Sequence, residues 1–145
     1  MVYRVYVEKK VGQTHEADSL LKEIKDFLQI EGLSSVRVLN RYDAENIEES
    51  LFNYAVNTVF SEPQVDNVSY DVPDGEFVFA VEPLPGQYDQ RADSAVQCVR
   101  FLNEEENPII KTAITYVIEG GVSDEELEKI KAYCINPVDS RETGM

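Results

Sequence analysis

One segment occurs twice in the chain, as VEKKVGQTHEADS at residues 7–19 and as VEPLPGQYDQRADS at residues 81–94. Seven residues of the first copy recur in the second when a gap of one residue is allowed. If positions matched by chance roughly one time in twenty, about one identity would be expected, so the chain contains an internal repeat. The matched pairs are Val7 and Val81, Glu8 and Glu82, Gly12 and Gly86, Gln13 and Gln87, Ala17 and Ala92, Asp18 and Asp93, and Ser19 and Ser94.

Each copy of this segment joins a predicted strand to a predicted helix. Alternating apolar and β-branched residues precede it, and apolar residues at helical spacing follow it. A second strand and a second helix come next in each half, and residues 65–72 add an edge strand to the first half. Gly32 has the position of a helix C-cap, and Ser123 with Glu126 has the spacing of a capping box. The pattern predicts an α+β fold of two duplicated β-α-β-α units, with an antiparallel sheet and helices packed on it.

The length of 145 residues fits one domain. We predict a single duplicated domain over residues 1–135, with one half at about 1–75 and the other at about 76–135. Residues 136–145 are polar and lack apolar periodicity, so they are interpreted as the start of a linker. The chain is accordingly expected to be a fragment of a longer protein.

The charge is strongly negative, since 28 Asp and Glu against 13 Lys and Arg give a net charge of −15. Such a surface repels phosphate backbones and anionic lipids, so binding to nucleic acid or to a membrane surface is not expected. No apolar run is long enough to span a bilayer, and the first residues do not resemble a signal peptide. With only two cysteines, the chain is expected to lie in the reducing cytoplasm.

The densest cluster of polar residues occupies positions 84–94, between a strand and a helix of the second half. Its two aspartates could act as a general acid and base, or the loop Gly86 to Ser94 could hold a small ligand at the helix start. The residue types favour a structural alternative, in which Asp93 or Ser94 caps the helix and Arg91 neutralises the aspartates. The residues of interest are Gln87, Tyr88, Asp89, Arg91 and Asp93.

Other reactive residues do not form a catalytic pattern. His15 is the only histidine, and no set of neighbours suggests a metal site. Cys98 and Cys134 lie in or beside apolar helix stripes and are predicted to be inert buried thiols. The chain contains no nucleotide-binding or hydrolase motif, so we expect no catalytic residue and no metal site in it.

The run LPGQYDQRADSAVQC, residues 84–98, resembles the N-terminal domain of the large, single-chain phosphoribosylformylglycinamidine synthases of purine biosynthesis. The resemblance covers essentially the whole chain. In that family the domain is similar to a fused dimer of the small subunit PurS, which agrees with the duplication found above. The other matching stretches are VYRVYVEKK from Val2, VRVLNRYD from Val36, NTVFSEPQVD from Asn57 and INPVDSRE from Ile135.

The resemblance implies part of a ligase that converts formylglycinamide ribonucleotide, ATP and glutamine into formylglycinamidine ribonucleotide. ATP and Mg²⁺ would bind in a missing synthase domain, so no cofactor is expected in this fragment. The N-terminal domain would dock the glutaminase against the synthase and help enclose the ammonia path, because ammonia is lost to water unless it is enclosed.

The family match assigns no catalytic residue, and it makes Gln87, Tyr88, Asp89, Arg91 and Asp93 expected contacts to neighbouring domains. The exposed docking surface of such a fragment could also let it self-associate. Two alternatives stay open. The chain could be a free-standing α+β module that binds a small ligand through the Gly86 to Ser94 loop, or an acid–base enzyme using its two loop aspartates.

Overall fold

A computed structural model describes all 145 residues, and its six strands form one antiparallel sheet. The strands are β1 Val2–Lys9, β2 Leu33–Glu45, β3 Asp66–Ser69, β4 Phe77–Pro83, β5 Ile109–Gly120 and β6 Ser140–Thr143. The helices are α1 His15–Phe27, α2 Glu49–Ala55, α3 Gln90–Leu102 and α4 Asp124–Cys134, and α2 continues as a π-helical segment Val56–Phe60. The predicted α+β class is confirmed, and none of these helices is long and apolar enough to cross a membrane.

The strand order β3-β1-β2-β5-β4-β6 is symmetric, with β1, β2 and β3 of the first half matching β4, β5 and β6 of the second. Val7 pairs with Asn40 in the first half, as Val81 pairs with Ile114 in the second. Asn40 and Ile114 are also paired with each other where β2 meets β5. A pseudo-twofold axis therefore passes through this pair, and the strands and helices of one half have counterparts in the other.

All helices pack on one face of the sheet in two groups. Each group contains helices from both halves. One hydrophobic cluster joins α2 and its π-helical extension to α3, and the other contains residues of α1 and α4. Burial of each large apolar side chain contributes about 1.5–3 kcal/mol, which a single half could not gain alone. The first cluster includes Val5, Tyr42, Phe52, Phe60 and Val99, and the second includes Ile24, Leu33, Phe79, Ile118 and Ile130.

Strand β6 corrects the predicted domain boundary at residue 135. Its residues Ser140–Thr143 pair antiparallel with β4, and they are the counterpart of edge strand β3 on β1. The same backbone bond precedes both strands, from Lys10 N to Val65 O at 2.8 Å and from Leu84 N to Asp139 O at 2.9 Å. An edge strand that packs little on either face needs no apolar alternation, and so this segment resembles a linker in sequence.

Gly32 has a different role from the predicted helix cap. Helix α1 ends at Phe27, and the residue with positive φ after it is Gln29, at 57°. Gly32 instead lies against Gly121, whose N–H donates to the Gly32 carbonyl at 2.9 Å, where β2 and β5 meet their turns. The predicted capping box of α4 is confirmed, because Ser123 and Glu126 exchange side-chain and backbone hydrogen bonds.

A titratable group of β4, Glu82, also holds β6 against the sheet. Burial alone would raise the pKa of Glu82, but hydrogen bonds from Thr143 and Arg141 and the charges of Arg141 and Arg41 bring it below its usual value. The folded state therefore favours the ionised form, and this stabilisation is lost as the pH falls through the lowered pKa.

We expect the amides of β6 to lose protection from hydrogen exchange as the pH falls from about 6 to about 3. The effect should be below about 1 kcal/mol, because the ion pair with Arg141 is near the surface. In Glu82→Gln, protection should be lower at neutral pH and nearly independent of pH. An equal loss of protection on acidification in both proteins would contradict the assignment to Glu82.

Candidate interdomain contact surface

The residues singled out in the sequence lie on the loop between β4 and α3 and on the first turn of α3. Gly86 turns the chain with φ of 88°, as Gly12 does in the first half with φ of 90°. The N–H of Gln87 donates to the carbonyl of Leu84 at 3.0 Å and closes the turn. This frame exposes the side chains of Gln87 and Tyr88, of which Tyr88 is 71% exposed.

Asp89 is the residue that caps α3, so the predicted cap at Asp93 or Ser94 is wrong. One carboxylate oxygen accepts from the N–H of Ala92 at 3.0 Å. The other accepts from Thr112 of β5, both from its N–H at 3.2 Å and from its hydroxyl at 2.8 Å. Asp89 therefore joins the start of α3 to the sheet, and its contribution to the loop is structural.

Asp93 has a separate set of partners. Its carboxylate accepts from the Tyr88 hydroxyl at 2.9 Å and from the Gln97 amide at 2.8 Å. The hydrogen bond to Asp93 raises the pKa of Tyr88, because the phenol must keep its proton to donate. Asp93 and Asp89 share no partner, so the geometry does not support their use as an acid–base pair.

Arg91 forms no ion pair with any carboxylate of the chain, although it was predicted to neutralise the aspartates. Its side chain is exposed, and its charge partly offsets the rise that burial causes in the pKa of Tyr42. Lys111, on β5 next to Thr112, is likewise exposed and without an ion pair. In a chain of net charge −15 these two cations are free to meet an acidic group of another molecule.

The reactive side chains outside the loop are dispersed. Cys98 is exposed on α3, which corrects its predicted burial, and Cys134 is partly buried at the end of α4. Burial raises the pKa of Cys134 to about 12, so its thiol keeps its proton at neutral pH. His15 is exposed at the start of α1, and no group of three or more His, Cys, Asp or Glu side chains could hold a metal ion.

Phe101 on α3 was not predicted to be accessible, yet it is 89% exposed. The helix turns Ala92, Ala95 and Val99 to the core, and a residue two positions after Val99 lies on the other side. The helical spacing of these buried residues could therefore have predicted that Phe101 is exposed. Leu102 beside it is 41% exposed, so α3 ends in two adjacent apolar side chains that face solvent.

A cavity of about 490 Å³ opens beside the loop, between the starts of α3 and β6. Its counterpart in the first half measures about 120 Å³. Sequence patterns did not indicate this cavity, because its walls come from five separate elements, β4, α3, β5, α4 and β6. The residues that matter most in its lining are Asp89, Arg91, Ile114, Tyr116, Cys134 and Asp139.

No protein-family model and no curated protein matches this chain.

Proposed function

We propose that this chain is the non-catalytic N-terminal domain of a phosphoribosylformylglycinamidine synthase. In this role it docks the glutaminase domain against the synthase domain and helps enclose the ammonia path. The observation that carries the proposal is the exposure of the run that resembles the family, residues 84–98. Gln87, Tyr88 and Arg91 lie at its surface with side chains that the fold itself does not require.

The chemistry of this surface suits a docking role. Tyrosine and arginine are among the residue types that most often dominate binding energy at protein interfaces. Tyr88 is held in place by its hydrogen bond to Asp93, which limits the entropy lost when a partner binds. Arg91 has no partner within the chain and can form a bidentate pair with a carboxylate of a neighbouring domain.

The role of the domain would be structural rather than chemical. Ammonia released by a glutaminase escapes into water unless the route to the synthase is closed. In this proposal ATP and Mg²⁺ act in the synthase domain, and the enzyme works in the cytoplasm. The partners of the chain are the synthase and glutaminase domains of the same polypeptide, and exposed apolar residues such as Phe101 would allow the free fragment to self-associate.

Complementation in trans tests the role directly. Residues 1–145 would be expressed with a synthase that lacks them, and synthesis would be assayed with glutamine and with ammonia. We expect the fragment to restore the glutamine reaction and to change the ammonia reaction little. Failure of the fragment to bind the remainder of the enzyme would overturn the proposal.

A single substitution tests the surface. Arg91→Glu in the complete enzyme should lower glutamine-dependent synthesis at least about tenfold, which corresponds to about 1.4 kcal/mol, because an interface arginine would be replaced by a repelling charge. Ammonia-dependent synthesis should stay within about twofold.

Arg100→Glu is the matched control, since Arg100 is exposed on the same helix, has no ion pair and undergoes the same change of charge. An equal loss in the two variants, or no change in Arg91→Glu, would remove Arg91 from the docking surface.

A further inference from the structure

The two edge strands of the sheet are held in different ways. Val68 of β3 lies opposite Val7 and packs against the first hydrophobic cluster. Its counterpart on β6 is Glu142, which lies opposite Val81 and is exposed. All four residues of β6 are polar, and none belongs to a hydrophobic cluster. Burial of apolar surface, which stabilises the rest of the fold, therefore contributes little to the attachment of β6.

Two ion pairs hold β6 in place of apolar packing. Arg141 lies 2.9 Å from a carboxylate oxygen of Glu82 on β4, and Glu142 lies 3.3 Å from the ammonium group of Lys131 on α4. Successive residues of a strand point to opposite sides, so the two pairs fix both faces of β6. The side chains of Arg141 and Glu142 are 53% and 47% exposed. Ion pairs as exposed as these are weak, and dissolved salt screens them.

Strand β3 also has an ion pair, but a more buried one. Lys9 lies 3.0 Å from Asp66, whose side chain is only 6% exposed. The Asp66 carboxylate also accepts from the N–H of Glu62 at 2.8 Å, so it has a second partner that salt does not screen. Salt screens buried charges much less than exposed ones. The two edge strands should therefore respond differently to ionic strength.

Strand β6 covers the edge of β4 and part of a cavity. It pairs with residues 80–83 of β4, and Arg41 donates to the carbonyl of Gly144 directly after it at 2.8 Å. Asp139 and Ser140, at its start, line the cavity of about 490 Å³. Detachment of β6 would therefore open one wall of this cavity and free the hydrogen-bonding groups at the edge of β4. The hydrophobic clusters would stay intact, because β6 contributes no side chain to them.

We propose that β6 is a salt-sensitive latch, a strand that detaches and reattaches while the rest of the fold stays in place. In the closed state its two ion pairs hold it against β4 and α4. In the open state the edge of β4 and the cavity are exposed to solvent, and β3 remains paired at the other edge. Hydrogen exchange detects such partial openings, because they need less free energy than complete unfolding. The latch is a property of the free chain and does not rest on the proposed docking role.

The test is hydrogen exchange of the 145-residue chain at neutral pH, followed by NMR at low and at high salt. Between about 20 mM and about 1 M NaCl, we expect the protection of the β6 amides to fall about threefold to tenfold. The protection of the β3 amides should change less than about 1.5-fold. Low concentrations of urea should leave exchange in β6 unchanged, because its opening exposes little surface. Equal effects of salt on β3 and β6, or exchange of β6 only together with β2 and β5, would overturn the proposal.

Two substitutions among the partners of Lys131 separate the latch from a general change of charge. Glu142→Gln removes the pair between β6 and α4, and it should lower the protection of β6 at low salt about threefold. Glu128→Gln is the matched control, since Glu128 lies 3.9 Å from the same ammonium group but within α4, and it should leave β6 unchanged. In Arg141→Gln/Glu142→Gln both pairs are absent, so the effect of salt on β6 should disappear. Equal protection of β6 in the two single variants, or a persistent effect of salt in the double variant, would refute the latch.

Discussion

Asp89→Ala is expected to lower the free energy of unfolding by about 3 kcal/mol. Loss of a helix N-cap costs about 1 kcal/mol, and loss of hydrogen bonds to a charged group costs about 1.5–3 kcal/mol. Thr112, 7% exposed, would also keep a buried N–H and hydroxyl without their acceptor. Urea unfolding of the 145-residue chain measures the change, with an unchanged m-value as the sign that the folded state is comparable.

The first half supplies the matched control. Thr14 precedes α1 as Asp89 precedes α3, but its side chain accepts from no backbone N–H of the helix and only donates to the exposed Asp18 carboxylate, at 3.3 Å. Thr14→Ala should therefore cost less than about 0.5 kcal/mol. The loss of stability in Asp89→Asn should lie between those of Asp89→Ala and Thr14→Ala. Asparagine caps helices well but is a weaker acceptor for Thr112. Equal effects of Asp89→Ala and Thr14→Ala would show that Asp89 does not hold the loop.

Gly32→Ala is also expected to lower the free energy of unfolding, by about 3 kcal/mol. A Cβ at Gly32 would meet the carbonyl group of Gly121, which is backbone and cannot rotate away. Overpacking in a close-packed region costs about 1–3 kcal/mol even where side chains can adjust. Because the contact joins the ends of β2 and β5, relief would require the central strand pair to shift. In thermal unfolding, the loss should lower Tm by about 10 °C.

Gly121→Ala is the control for this prediction. Gly121 takes part in the same contact, yet an added Cβ there would meet no atom within 4 Å. Its φ is not in the left-handed region, so alanine should be accepted within about 0.5 kcal/mol. If both substitutions lower Tm equally, the effect comes from loss of glycine flexibility and not from the close approach.

The sequence was informative wherever a pattern extended over many residues. The repeat predicted two similar units, and the strand order around the Asn40–Ile114 pair is symmetric in the same way. The capping box at Ser123 was readable because both partners are three residues apart in the chain. Local hydrogen bonds and periodic burial are properties of short segments, and so they are visible before the fold is known.

The features that sequence reasoning missed depend on residues far apart in the chain. Asp89 was not chosen as the cap because its second partner, Thr112, is brought to it only by β5. Strand β6 has no apolar pattern, and it is recognisable as a strand only beside β4. Gly32 was assigned to a helix end because its actual neighbour, Gly121, follows β5 and lies far away in sequence.

By itself the sequence determined the α+β class, the duplication and the polar character of residues 84–94, since these follow from periodicity and composition. Only the tertiary structure decided which residues of this loop serve the fold and which have no partner within the chain. The physical reason is that these partners belong to elements that are far apart in the chain. Thr112 becomes a partner of Asp89 only when β5 and the start of α3 are placed side by side.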